Sequence, residues 1–153
     1  LGRASRGHSN VLLMARLLEL TAGHCAYCDH FPLCVEGDPA IDHHRPKSAF
    51  PALAFAWTNL YGVCALCNRS KADLWDDDLL CPDVAGYDFF RYFDCDALTG
   101  RIEPRPDLAP AEKRRAERTI TILGWNSGSR PQSRAREARR PSLEPRPYRF
   151  LHA

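Results

Sequence analysis

Two cysteine pairs, Cys25-Ala26-Tyr27-Cys28 and Cys64-Ala65-Leu66-Cys67, carry the strongest chemical signal in the chain. A two-residue spacing lets both thiolates of a tight turn face one ion. Two such knuckles supply the tetrahedral sulfur shell that Zn²⁺ prefers. A redox CxxC is the rival, but two copies without a thioredoxin-like βαβ pattern fit it poorly. Cys34, Cys81 and Cys95 stand apart, and seven cysteines cannot all pair within one chain. Cysteines spent on a structural metal imply a reducing compartment, so a cytoplasmic location is expected.

The 35 residues between the knuckles exceed a simple zinc-ribbon spacing, so a whole substructure must lie between them. That interval holds Ile41-Asp42-His43-His44-Arg45-Pro46-Lys47-Ser48. Asn59 and the run Cys67-Asn68-Arg69-Ser70-Lys71 follow. Together they supply what phosphodiester hydrolysis needs. A neutral imidazole deprotonates water near neutral pH. A carboxylate and an amide oxygen are hard ligands suited to Mg²⁺ or Mn²⁺, and one such ion polarises a phosphoryl oxygen and stabilises a leaving oxygen. Arg45, Lys47, Arg69 and Lys71 are candidates for phosphate contacts by charge and proximity alone. Singly, each residue has a plainer reading: Asp42-His43 is a common dipeptide, Asn59 a turn or cap residue, Asn68 a surface helix residue, and the cations solvated charges. His24 and His30 flank the first knuckle, and four available cysteines make them unneeded as ligands.

The elements that must position these residues form an α+β pattern. Asn10 is a helix cap for Val11–Leu20, with Gly23 as the stop. Residues 39–43 read as a short strand closed by Arg45-Pro46. Residues 50–57 form an aromatic-alanine loop or helical turn, residues 59–63 a second strand, and residues 65–74 a helix. Asp76-Asp77-Asp78 reads as a solvated turn. Residues 81–108 are irregular and aromatic, a flap over the core rather than a base-stacking platform. Pro110 opens a helix over 111–123, with Ala116, Ile120 and Leu123 on one apolar face. Four segments result: an N-terminal helical segment (1–23), the metal-bearing core (24–75), an extension with the 111–123 helix (76–126), and a basic tail (127–153) expected to be disordered.

Charge and hydropathy limit the function classes. The 153 residues carry a net charge of +2, which divides into +2 over residues 1–20, −7 over 21–110 and +7 over 111–153. A basic end beside an acidic middle suits a polyanion, and a solvated tail gives the same count. No apolar run approaches the ~20 residues of a membrane helix. Val11–Ala15 is cut by Arg16, and with Glu19 this argues against a secretory signal, although the first residue is Leu rather than Met.

The order Asp42-His43, Asn59, Asn68 across strand, strand and helix resembles the HNH, or ββα-metal (His-Me finger), endonucleases in their four-cysteine zinc form. Residues 24–73 carry the likeness. Within that superfamily, Asp-His-His-Arg-Pro-Lys-Ser and then Asn-Leu ahead of Cys-x-x-Cys-Asn-Arg-x-Lys look most like the HNH nuclease subunit of Septu-type and retron-associated anti-phage systems. Phe50-Pro51-x-Leu53-Ala54-Phe55-x-Trp57-x-Asn59-Leu60 and Arg115-Ala116-Glu117-Arg118-Thr119-Ile120-x-Ile122-Leu123-Gly124-x-Asn126 fit the same group. The resemblance implies a ββα-metal core stapled by zinc and flanked by N- and C-terminal helices. His43 would be the general base, Asp42 and Asn68 ligands of a catalytic divalent ion, and Asn59 the residue that orients the His43 loop. Cys25, Cys28, Cys64 and Cys67 would hold zinc away from the chemistry. The implied activity is metal-dependent DNA cleavage in phage defence, with a partner ATPase in control and no membrane involved.

The chain departs from the pattern in three places. His44 stands where an apolar or aromatic residue is expected, Cys81 where an aspartate is usual, and the tail after Asn126 diverges. The family's C-terminal half is usually longer, which points to a shortened relative or a fragment. A strand also turns Asp42 and His43 to opposite faces, so the two can share one site only where the strand ends or bulges. The competing readings are a non-catalytic zinc-stapled module that binds nucleic acid or protein, and a degraded fragment that does not fold alone.

Overall fold

The computed structural model describes residues 5–33, 38–140 and 148, with side chains from residue 11 onward. Cys34 and most of the tail beyond residue 140 lie outside the described residues.

A long first helix, α1 (Ser5–Thr21), leads the chain. It starts five residues before the expected cap at Asn10, since Gly and Asn inside a helix cost only about 1 kcal/mol or less each. The backbone N–H of Gly23 donates back to the Leu18 carbonyl at 2.8 Å and closes its end. Two short strands, β1 (Ala40–His43) and β2 (Leu60–Val63), then pair antiparallel with Ala40 opposite Val63 and His43 opposite Leu60. Single 3-10 turns at Pro51–Leu53 and Trp57–Asn59 fill the connection. A two-turn helix, α2 (Ala65–Lys71), follows directly and ends three residues earlier than expected. Gly62 lets α1 lie close on the hairpin, because a Cβ there would stand only 3.4 Å from Leu17 Cβ.

Residues 81–108 are more ordered than expected. A one-turn helix, α3 (Phe89–Tyr92), runs into a second antiparallel pair, β3 (Phe93–Cys95) with β4 (Ile102–Pro104). The aromatic run is the reason. Tyr92 and Phe93 are buried, and Phe93 packs edge-on against Trp125 with ring centroids 5.0 Å apart. Full burial of each such side chain contributes about 1.5–3 kcal/mol. The helix α4 (Pro110–Ile122) spans nearly the expected residues and buries Ala116, Thr119 and Ile122. Asp76 and Asp78 do not form a merely solvated turn: they pair with Arg118 and Arg114 on α4.

The expected disorder of the basic tail is corrected over its described part. Residues 130–138 form a further helix, α5 (Arg130–Ala138), which buries Arg130, Pro131, Arg134 and Ala135. Pro131 sits in its first turn, where a missing N–H costs nothing. The helix has no apolar stripe, so periodicity gave no sign of it. The result is an α+β fold with two two-stranded sheets, whose core runs from the cysteine knuckles through β2 to α4 and Trp125. Among the described residues no helix is long and apolar enough to cross a membrane.

Candidate metal centre and candidate active site

The two knuckles converge. Cys25, Cys28, Cys64 and Cys67 are all buried, and their sulfurs lie within 4.8 Å of one another. The chain makes this possible by hydrogen-bonding the first knuckle to the second strand. The Ala26 N–H donates to the Gly62 carbonyl at 3.0 Å, and the Cys64 N–H donates to Cys25 Sγ at 3.3 Å. Cys64 also caps α2, accepting from the Cys67 N–H at 3.4 Å. Tetrahedral sulfurs about 2.3 Å from a zinc ion stand about 3.8 Å apart, and Cys28 Sγ lies 3.8 Å from Cys64 Sγ. The donor set therefore fits a metal ion. Sulfur contacts from Cys25 pull the Cys64 thiol strongly toward the thiolate and push Cys28 up, while burial raises Cys67. His24 does not join the cluster: its Nδ1–H donates to the Asp29 carbonyl at 2.8 Å.

Sequence reasoning missed the cation beside the sulfurs. Arg130 is buried, donates from Nη2 to Cys67 Sγ at 2.9 Å, and reaches Cys64 Sγ at 3.9 Å. Its Nη1 donates to the carbonyls of Leu123 and Gly124. Burial opposes its charge, yet the attraction of Cys67 and Cys28 holds its pKa above the ordinary value. The Ser129-Arg130-Pro131 start signal was the available clue to a helix there.

The second constellation forms at the end of β1. His43 Nε2–H donates to the Ala54 carbonyl at 3.0 Å. A carbonyl only accepts, so the neutral ring keeps its lone pair on Nδ1. Asn59 is buried and clamps the loop beside it. Its Oδ1 accepts from the Arg45 N–H at 2.8 Å, and its Nδ2 donates to the carbonyls of Arg45 at 3.0 Å and Leu53 at 3.2 Å. Asn68, half-buried on α2, makes no side-chain hydrogen bond with the described residues and lies one turn before Lys71.

Asp42 and His43 diverge. The pairing of β1 is regular to its end at His43, without a bulge, and the His44 N–H continues it to the Asn59 carbonyl at 3.0 Å. Asp42 and His44 turn to the Tyr27 side: Tyr27 Oη donates to Asp42 Oδ2 at 2.7 Å, and the His44 ring lies 6.4 Å from that of Tyr27. The position of Tyr27 inside a knuckle was the only sequence sign of this partner. Burial raises the Asp42 carboxyl above its usual range, against the opposing pull of Lys71.

Lys71 corrects an expectation. It is fully buried, with Nζ 3.0 Å from Asp42 Oδ2 and donating to the His43 carbonyl at 2.7 Å, so it offers no surface contact for phosphate. Arg45, Lys47 and Arg69 are exposed, with the Arg45 guanidinium over the Trp75 ring at 4.9 Å. At the departure Cys81, the thiol lies 3.0 Å from Tyr61 Oη, which donates to Asp83 at 2.6 Å.

In comparison with known proteins, no family model and no curated protein matches this chain. What the fold and the site define is an α+β protein with a buried four-cysteine cluster able to hold a metal ion.

Proposed function

We propose that the chain is a metal-dependent HNH endonuclease that hydrolyses phosphodiester bonds in DNA, stapled by zinc at Cys25, Cys28, Cys64 and Cys67. The observation that carries this reading is the held imidazole: His43 fixed through Nε2 to Ala54, beside a loop clamped by Asn59. A ring so held presents Nδ1 as a base for water, and the clamp keeps the loop from drifting. A divalent ion such as Mg²⁺ or Mn²⁺, when bound, would be held by Asp42 and Asn68 and would polarise the phosphoryl group. Of the two donors, Asn68 makes no side-chain hydrogen bond among the described residues, while Asp42, turned to the Tyr27 side away from His43, keeps Oδ1 outside its bonds to Tyr27 and Lys71. Arg45, Lys47 and Arg69 are the exposed cations for the phosphates. The likeness to Septu-type and retron-associated nuclease subunits supports an effector role in phage defence, a cytoplasmic setting and a controlling partner ATPase.

One observation favours the second reading, a zinc-stapled binding module without chemistry. The buried Lys71 ammonium already neutralises Asp42. Plasmid nicking with Mg²⁺ or Mn²⁺ decides between them. The wild type should nick, His43→Ala should lose about 10²–10⁴-fold, and Asn68→Ala should lose about tenfold or more. His44→Ala should retain most activity. A wild type that binds DNA but never nicks it would establish the module. Loss of nicking in His44→Ala with retention in His43→Ala would overturn the assignment of the base.

A further inference from the structure

We propose that Arg130 is an outer-sphere residue of the four-cysteine metal site, so that the charge of the metal-bound sulfurs holds the C-terminal helix α5 on the core. The inference rests on reading the four sulfurs as a metal site. Four thiolates around a divalent ion leave roughly two net negative charges in a buried place. Arg130 is the cation that meets them, at 2.9 Å from Cys67 Sγ. Among the described residues no carboxylate pairs with it, and its remaining bonds go to the neutral carbonyls of Leu123 and Gly124. A guanidinium buried among carbonyls alone is costly, and an opposing charge with good hydrogen-bond geometry offsets part of that cost.

Beyond Arg130, the helix docks onto neutral groups. Its buried residues are Arg130, Pro131, Arg134 and Ala135. Arg134, one turn on and on the same face, is also spent on neutral acceptors: the carbonyls of Gly100 at 2.7 Å and Trp125 at 2.6 Å, and Asn126 Oδ1 at 3.2 Å. Nine residues do not hold a helix in water by themselves. Among the described residues, the sulfur site is thus the negative charge that meets α5 directly, and it gains from the contact, because N–H donors to a thiolate tune its hold on the metal.

The test loads the full chain with Zn²⁺ or Co²⁺ and follows metal loss to a competing chelator, together with the thiolate-to-Co²⁺ absorption bands. Arg130→Gln should lose metal about 10–100-fold more readily and shift those bands. Arg130→Lys, which keeps the charge, should recover much of the retention. Arg139→Gln, at the exposed far end of the same helix, should behave as wild type. Wild-type retention in Arg130→Gln, or faster loss with unshifted bands, would overturn the proposal. If Arg130→Gln does not fold, Arg130→Lys decides: its bands must shift, and unshifted bands reject the outer-sphere role. A wild type that takes up neither ion rejects the metal site itself before any variant is made.

Discussion

His44 is a buried imidazole kept neutral by its surroundings. Its ring lies against Tyr61 at 5.9 Å, its Nδ1 has no hydrogen-bond partner among the described residues, and burial, with Lys71 adding to it, lowers its pKa to about 4. In the unfolded chain the same ring takes its proton near the ordinary histidine value of 6.5. Between those two pH values the unfolded chain binds more protons, so stability falls as pH drops through that window. His44→Phe removes the proton and keeps the edge-on ring contact. We expect the wild type to lose at most about 3 kcal/mol relative to this variant between pH 6.5 and 4, and to match it in slope above pH 7. Urea melts at a series of pH values check this, and parallel curves throughout would reject it. At this scale the sequence was readable where chemistry demands a residue type and less so where burial decides. Arg69 and Lys71 looked alike as cations, yet one is exposed and the other fully buried on Asp42. Lysine is so seldom buried that nothing in its identity announces it.

Element existence followed how strongly each pattern is written. The hairpin and α4 were legible because strand residues meet proline and glycine stops, and because Ala116 and Ile120 share a helical face. The helix α5 was not, because its buried face is built from arginine stems, a proline and an alanine. A glycine leaves it the room to seat. Gly100 holds a φ of +71°, and a Cβ there would come 1.8 Å from the Pro131 carbonyl oxygen and 2.7 Å from the Ala135 nitrogen. Both neighbours are backbone and cannot turn aside. Gly100→Ala should therefore cost more than about 1 kcal/mol and lift α5, exposing the bonds after Arg134 and Arg136 to trypsin. Thermal melts and timed digestion would show it, and an unchanged digestion pattern would mean that the β3–β4 turn relaxes instead.

For the molecule as a whole, the sulfur cluster is part of the core rather than an attachment to it. The same buried cluster contains the four cysteines together with Tyr27, Tyr61, Val63, Phe93 and Trp125. One ion at that point would tie the segment after α1, the hairpin, α2 and α5 together. Structural zinc sites contribute apparent binding energies of about 10–16 kcal/mol, against net domain stabilities of about 5–15 kcal/mol. An ion of that strength would decide whether the chain folds. Without it, the core must take up thiols that burial and mutual contact, as at Cys67 and Cys28, push toward the protonated form. Removing the metal with a strong chelator should lower the melting temperature by more than about 10 °C. It should also make four further thiols reactive to a colorimetric thiol reagent, and restoring Zn²⁺ should reverse both. Acid should act in the same direction, because protons compete with the ion for sulfur. A melt unmoved by the chelator, with the four thiols still protected, would mean that packing around Val63 and Trp125 suffices and that the cysteines serve only as small core residues.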